Sequence, residues 1–335
     1  MVSGFWKNLK KPIFAIAPMA NVTDAAFRAL ITKYGKPDVM WTEFVSCDGL
    51  QSKGKKNLLI DLKFSKKERP IVAQVFGANP ENFYKTALLL QERGFDGIDI
   101  NMGCPDRAVE KQGAGAALMK NPKLAKQIIS ETKRGAGKLP VSVKTRIGYN
   151  KNDLKIWLPS LLECELAAIT IHARTRNELS NVPARWEHIE EAVKIRNTFD
   201  SSKNQTLILG NGDIKNAWEG FQIARATGAD GVMVGRGLFG DPWFFSNIDK
   251  IKKGNQKINR VSIQKILKAM CEHAEMFEKK LGKYKNFEIM KKHFKAYANG
   301  FPNAKELRIA LMTGADDAKS VKQITKDFIK KIPAD

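Results

Sequence analysis

The chain has 335 residues, 43% of them apolar, yet no apolar run reaches the roughly 18 residues that a membrane-spanning helix needs. Its 57 Lys and Arg against 35 Asp and Glu give a net charge of +22, which disfavours a cationic partner and points to a polyanion, although solvated lysine-rich helix faces would give the same total. The opening MVSGFWKNLKKP leads into a short apolar stretch that Pro18 interrupts too soon for a signal peptide, so a cytoplasmic protein without a membrane segment is expected.

In chain order, short apolar runs recur as IFAIAP (13–18), VMWTE (39–43), IVAQVF (71–76), GIDINM (97–102), VSVKTRI (141–147), AAITIH (167–172), TLILG (206–210) and GVMVG (231–235). Segments with helical periodicity separate most of them: 24–34, 80–93, 122–133, 186–196 and 215–227. Near-continuous apolar strands alternating with helices imply a parallel sheet covered on both faces, and eight such units fit a (β/α)8 TIM barrel better than an open sheet. A short helix is expected from Asp241. After Asp249 the strand signal stops, and INRVSIQKILKAMCEHAEMFEKKLG (258–282) and its successors read as amphipathic helices. The expected organisation is an α/β barrel over 1–250 followed by a small all-α domain over 251–335. That second part carries 20 basic and 9 acidic residues, which places half of the charge excess in a quarter of the chain and suggests a surface for nucleic acid.

Four cysteines, at 47, 104, 164 and 271, are widely spaced with no CxxC and no nearby His pair, so no metal site is expected. Cys47, Cys164 and Cys271 read as small core residues.

In a barrel of this kind, chemistry sits at the C-terminal ends of the strands. There this sequence places Pro18 and Met19, Glu43, Gln74, Asn101 and Cys104, Lys144 and Arg146, His172 and Arg174, Asn211 with Gly212 and Asp213, and Gly235 with Arg236. Lys or Gln is expensive to bury without a partner, so such a cluster implies a ligand. Glycines in GNGDI (210–214) and GVMVGRGLFGDPW (231–243) let backbone N–H groups approach a phosphate, with Arg236 adding a charge-assisted contact. Lys144 suits negative charge spread over a planar ring, and phosphate plus such a ring describes reduced FMN. Taken singly, the glycines also fit plain turn chemistry and Lys144 an ion pair.

APMANVTDAAFR (17–28), AQVFGANP (73–80), DINMGCP (99–105), GAGAALMKNP (113–122), VKTRIG (143–148), TIHARTR (170–176), NGDI (211–214) and GRGLFGDPWFF (235–245) together resemble the tRNA-dihydrouridine synthase family, and MKKHFKAY (290–297) resembles the basic helix of its RNA-binding domain. The resemblance covers essentially the whole chain. It implies an FMN enzyme that uses NADPH to reduce a uridine of tRNA to 5,6-dihydrouridine, acting as a monomer. By the family pattern Ala17, Pro18 and Met19 lie against the flavin, Gln74, Lys144 and His172 meet its ring edge, and Asn211, Gly212, Asp213, Gly235 and Arg236 hold its phosphate end. Asn101 would position the uracil, with a donor and an acceptor for its imide edge, and Cys104 would give the proton. Arg146, Arg174 and Arg176, with Lys291, Lys292 and His293 in the tail, would meet the RNA.

The chain departs from the family pattern at Ala173, where Gly is usual, and in RNELSNVPARW (176–186), where Leu179 and Val182 replace a Tyr and a Gly. It also carries Lys291 and Lys292 before His293, where Arg-Lys-His is common.

A thiol with an ordinary pKa of about 8.5 stays protonated at neutral pH and can protonate carbon 5 of the base while hydride reaches carbon 6. Three other readings share part of the pattern: an FMN barrel acting on a free pyrimidine or other small molecule, a sugar-phosphate isomerase or aldolase without flavin, and a non-catalytic RNA-binding protein.

Overall fold

In the computed structural model, which describes residues 4–199, 206–255 and 261–331, eight parallel strands form one sheet in the order β1-β8-β7-β6-β5-β4-β3-β2. They are β1 (Ile13–Ile16), β2 (Met40–Ser46), β3 (Ile71–Phe76), β4 (Gly97–Asn101), β5 (Val141–Arg146), β6 (Ala168–His172), β7 (Leu207–Asn211) and β8 (Gly231–Val234). A parallel bridge between Ala15 and Val39 joins β1 to the residues just before β2, and Ile16 N–H donates to the Val39 carbonyl at 3.2 Å. That contact closes the sheet into a (β/α)8 barrel. Nearly every strand residue is buried, as a sheet covered by helices outside and packed side chains inside requires.

The helices of eight or more residues among those described are α1 (Ala25–Tyr34), α2 (Pro80–Glu92), α3 (Pro122–Ala136), α4 (Leu154–Leu162), α5 (Glu187–Phe199) and α6 (Ala217–Thr227) around the barrel, then α7 (Ile263–Leu281), α8 (Met290–Tyr297), α9 (Ala304–Gly314) and α10 (Ala318–Ile329). Local chemistry sets their starts. The Asp24 carboxylate accepts from Ala26 and Phe27 N–H, Asn79 and Asn121 cap helices whose first residue is Pro, and Asn216 caps α6. Gly228 ends α6 at φ +71°, a conformation that an L side chain adopts only with strain.

The sequence pattern gave no helix for 154–162, where Pro159 sits inside an apolar stretch, and the structure forms one. The helix expected from Asp241 begins later, at Ile248–Lys252, after a run of turns. Of the long segment 258–282, Ile258 to Arg260 lie outside the described residues, and the remainder folds as α7.

Two apolar cores result. One fills and surrounds the barrel and reaches Ile251, just past the expected boundary at 250. The other joins α7 to α10 through Leu267, Phe277, Phe294, Leu311 and Phe328, and takes in Ala26 and Leu30 of barrel helix α1. The C-terminal helices are therefore built onto α1 and share its apolar face.

Candidate active site

At the C-terminal end of the barrel lies a cavity of about 310 Å³. Eleven of the residues picked out from the sequence line it: Ala17, Pro18, Met19, Lys144, Arg146, His172, Asn211, Gly212, Asp213, Gly235 and Arg236. Pro105, Leu179 and Ser180 complete part of its wall. Strand register brings this set together, because β5, β6 and β7 pair so that Arg146 stands beside His172, and His172 beside Asn211.

One side of the cavity is cationic. Lys144 Nζ donates to Asn211 Oδ1 at 3.0 Å, and Asn211 Nδ2 is fixed by the Met233 carbonyl at 2.7 Å. Burial, and then the nearby Arg146, push the Lys144 ammonium down to about 8, so it remains largely charged at neutral pH. His172 is held well below its usual pKa by burial and by Lys144, Arg146, Arg174 and Arg236, and is neutral. Arg236 Nη2 donates to Asp213 Oδ1 at 2.7 Å with 61% of its side chain exposed, which leaves donors free for an anion. Burial works against ionisation of Asp213, but the Ala184 N–H and Arg174 outweigh it and hold the carboxyl below its usual range. A side-chain carbon at Gly237 would come within 2.3 Å of the Ile214 carbonyl oxygen, so that position requires glycine for close backbone approach, while one at Gly235 would lie 3.3 Å from Met19 Sδ and narrow the cavity wall. Cations, N–H donors and small residues around one hollow fit a phosphate-bearing, ring-shaped anion such as FMN.

Gln74, Asn101 and Cys104 are not among the residues that line this cavity, although Pro105, next to Cys104, is. Gln74 Nε2 donates to Asp99 Oδ2 at 2.7 Å, and Asn101 Nδ2 donates to Gln74 Oε1 at 3.1 Å. Asn101 Oδ1 then accepts from the N–H groups of Gly103 at 3.1 Å and Cys104 at 2.9 Å. A strand thus ends on an amide, a glycine and a thiol because the amide oxygen gathers the next backbone N–H groups and turns the chain at Cys104. Gly103 is needed for the close pass over Thr145, whose carbonyl carbon would lie 3.1 Å from an added Cβ. Burial is the main cause that pushes the half-buried Cys104 thiol above its usual pKa, so it stays protonated at neutral pH.

A match to the family described as dihydrouridine synthase (Dus) runs over residues 15–333. The chain belongs to the dihydrouridine synthase family. It is 39% identical over 315 residues to the probable tRNA-dihydrouridine synthase of Staphylococcus aureus (strain MRSA252), covering 93% of this chain and 92% of that one. It is 38% identical over 333 residues to probable tRNA-dihydrouridine synthase 2 of Bacillus subtilis (strain 168), covering 99% and 98%. Among solved structures it is similar to 6-hydroxypseudooxynicotine amine oxidase from Pseudomonas geniculata N1, with a TM-score of 0.53 at 14% identity over 72% of this chain and 47% of that one. Histamine dehydrogenase from Rhizobium sp. 4-9 gives the same TM-score of 0.53 at 11% identity over 79% and 49%. This chain spans about half the length of those two, and the likeness is one of fold.

The dihydrouridine synthase site corrects several expectations. Arg174 does not face outward: it is 2% exposed, donates from Nε to the Val182 carbonyl at 2.6 Å, pairs with Asp213, and lies 3.1 Å from His172 Nε2. Arg146 also turns inward, to the carbonyls of Gly103 at 2.8 Å and Thr175 at 3.0 Å, and so ties the β4 loop to the β6 loop. Arg176 forms a forked pair with Glu110. Asn101 has both Oδ1 lone pairs and one N–H engaged within the protein, so it can offer a substrate one N–H rather than a donor and an acceptor.

His293 is fully buried among the rings of Phe27, Phe239 and His273, and cannot touch RNA. On the same helix Lys291 pairs with Glu288 at 2.5 Å, while Lys292 is exposed. In the atypical loop after β6, Leu179 takes φ +52°, a turn conformation made without glycine, and its carbonyl accepts from Arg146 at 3.2 Å.

Sequence reasoning missed a second polar cluster. Lys285, after α7, places its ammonium 2.8 Å from Glu43, which lies in the middle of β2 because that strand runs on to Ser46 rather than ending at 43, and 2.7 Å from Asp61. The other Glu43 oxygen accepts the N–H of Asn21, two residues beyond the cavity-lining Met19. Burial is the main cause that raises the Glu43 carboxyl to about 7. Glu43 was visible as a charge at a strand end, but nothing in the sequence linked it to Lys285, 242 positions away.

Proposed function

We propose that this chain is a tRNA-dihydrouridine synthase that holds FMN in the rim cavity, accepts reducing equivalents from NADPH and reduces a uridine of tRNA to 5,6-dihydrouridine. The carrying observation is a cavity lined by Lys144, Arg146 and Arg236 and walled in part by Pro105, the residue that follows Cys104 in the turn held by Asn101. In this reading Arg236 and the backbone around Gly235 and Asn211 to Asp213 hold the phosphate end, and Lys144 faces the ring. A flavin bound there would supply hydride for carbon 6 of the base. Cys104 supplies the proton for carbon 5, and the neighbouring Arg146 and Lys144 stabilise the thiolate left behind. The remaining Asn101 N–H orients a uracil carbonyl.

A folded tRNA must release its uridine into such a site at a cost of a few kcal/mol, which phosphate contacts can offset. Exposed lysines such as Lys292 and Lys295 on α8 suit that task. The names of the relatives support tRNA over a free pyrimidine as substrate.

Cys104→Ala tests the reading. Flavin reduction by NADPH should proceed at near the wild-type rate, because the thiol has no part in it. Reoxidation by tRNA should slow by roughly 10²–10⁴-fold, the usual contribution of a positioned general acid. Reoxidation by tRNA at the wild-type rate would remove Cys104 from the chemistry.

A further inference from the structure

Asp99 stands in the middle of β4, fully buried inside the barrel, and is not among the residues lining the cavity. Gln74 from β3 bonds it, as does Ser142 from β5, and Lys144, also on β5, is a cation acting on it. An ionised carboxylate can only accept hydrogen bonds. Both neighbours must therefore donate, Ser142 Oγ at 2.5 Å and Gln74 Nε2 at 2.7 Å.

That requirement propagates. With its nitrogen turned to Asp99, Gln74 presents Oε1 to Asn101, so Asn101 presents Nδ2 to Gln74 and Oδ1 to the backbone. Only this orientation can receive the N–H groups of Gly103 and Cys104. Reversing Asn101 would set donor against donor at the turn that carries the thiol, and reversing Gln74 would set its NH2 against that of Asn101 and its oxygen against Asp99. An amide flip is otherwise nearly free of steric cost, because oxygen and NH2 have almost the same shape.

We infer that Asp99 is a positioning residue whose carboxylate fixes the orientation of Gln74 and Asn101 in series and so holds the Cys104 turn at the cavity. The inference deepens the functional reading above and rests on it for the role of Cys104, while the orientation of the two amides can be measured without any cofactor or substrate. Burial raises the Asp99 carboxyl to about 6, against the bonds from Ser142 and Gln74, the charge of Lys144 and the indole N–H of Trp41 on β2. Acidification through that value should therefore release the series.

The test is site-resolved amide exchange on the full chain, expressed as protection relative to the intrinsic rate. In Asp99→Asn, the uncharged amide can face Ser142 and Gln74 in either sense, and protection at Gly103 and Cys104 should fall by about tenfold, the equivalent of one hydrogen bond. Protection at Ile98 and Ile100 should not change. Gln74→Leu, which cuts the series one step later, should give the same local loss, and the double variant should lose no more than either single one. In the wild type, protection at these two amides should drop between pH 7.5 and pH 5, and that dependence should be absent from Asp99→Asn.

Unchanged protection at Gly103 and Cys104 in Asp99→Asn, a loss spread over the whole of β4, or additive losses in the double variant would each overturn the inference. If Asp99→Asn does not fold, Gln74→Leu and the wild-type pH profile decide: no local loss in either one overturns it. A wild-type protein that makes no dihydrouridine would instead overturn the functional reading and leave the amide result standing.

Discussion

His293 and His273 lie side by side in the C-terminal core, both fully buried, with ring centroids 4.4 Å apart. Among the described residues neither ring nitrogen of His293 has a hydrogen-bond partner, and His273 has only the Tyr297 hydroxyl, 3.4 Å from Nδ1. Burial depresses both, His293 to about 3 and His273 well below its usual value. The folded protein therefore keeps them neutral, while the unfolded chain takes up protons below a pKa of about 6.5. Stability is fully present above that value and is lost as pH falls below it, down to the depressed folded pKa. At pH 5 linkage costs about 2 kcal/mol per histidine, or about 4 kcal/mol for the pair. His293→Phe keeps an aromatic ring between Phe27 and Phe239, at 5.3 and 5.7 Å, and removes the unpartnered nitrogens. It should change stability at pH 7.5 by less than about 1.5 kcal/mol and remove about 2 kcal/mol of the loss at pH 5, half of the share that this pair contributes. Urea unfolding of both proteins at the two pH values gives the comparison, since carboxylate effects common to both cancel in the difference. An equal loss in wild type and variant would refute the claim that His293 is buried and neutral.

Arg236→Ala should weaken FMN binding by about 1.5–3 kcal/mol, the value of a hydrogen bond to a charged group, and flavin fluorescence titration should show it; full flavin retention at low free FMN would contradict the phosphate assignment. Lys285→Met leaves Glu43 and Asp61 facing each other without their cation. It should destabilise the protein by about 3–5 kcal/mol. Because Glu43 can protonate near pH 7, the melting temperature should fall further at pH 8.5 than at pH 6, and a shift independent of pH would count against the pairing.

Much of the barrel was legible because each parallel strand is buried on both faces and reads as an unbroken apolar run; β3 coincides with IVAQVF. Rim residues such as Lys144, Asn211 and Arg236 were legible for the complementary reason, that a polar side chain ending such a run has few other uses. Helix α4 was not, since Pro159 and a nearly all-apolar stretch hide its period. His293 was misread because its neighbours are lysines, and its burial comes from Phe27 and Phe239, which lie far away in sequence. Arg174 shows the same limit: an arginine after a strand looks solvent-facing until Val182 and Asp213 fold over it. Asp99 was readable as a carboxylate inside an apolar run, but its partners depend on strand register.

A protein that works as proposed reduces uridine in tRNA at the rim of its barrel. Incubating the purified protein with FMN, NADPH and an unmodified tRNA transcript, then digesting the RNA and analysing its nucleosides, tests it directly. Dihydrouridine should appear at a defined position in the wild-type reaction and almost none with Cys104→Ala. NADPH oxidation that leaves every uridine intact, or dihydrouridine formed equally well by both proteins, would contradict it.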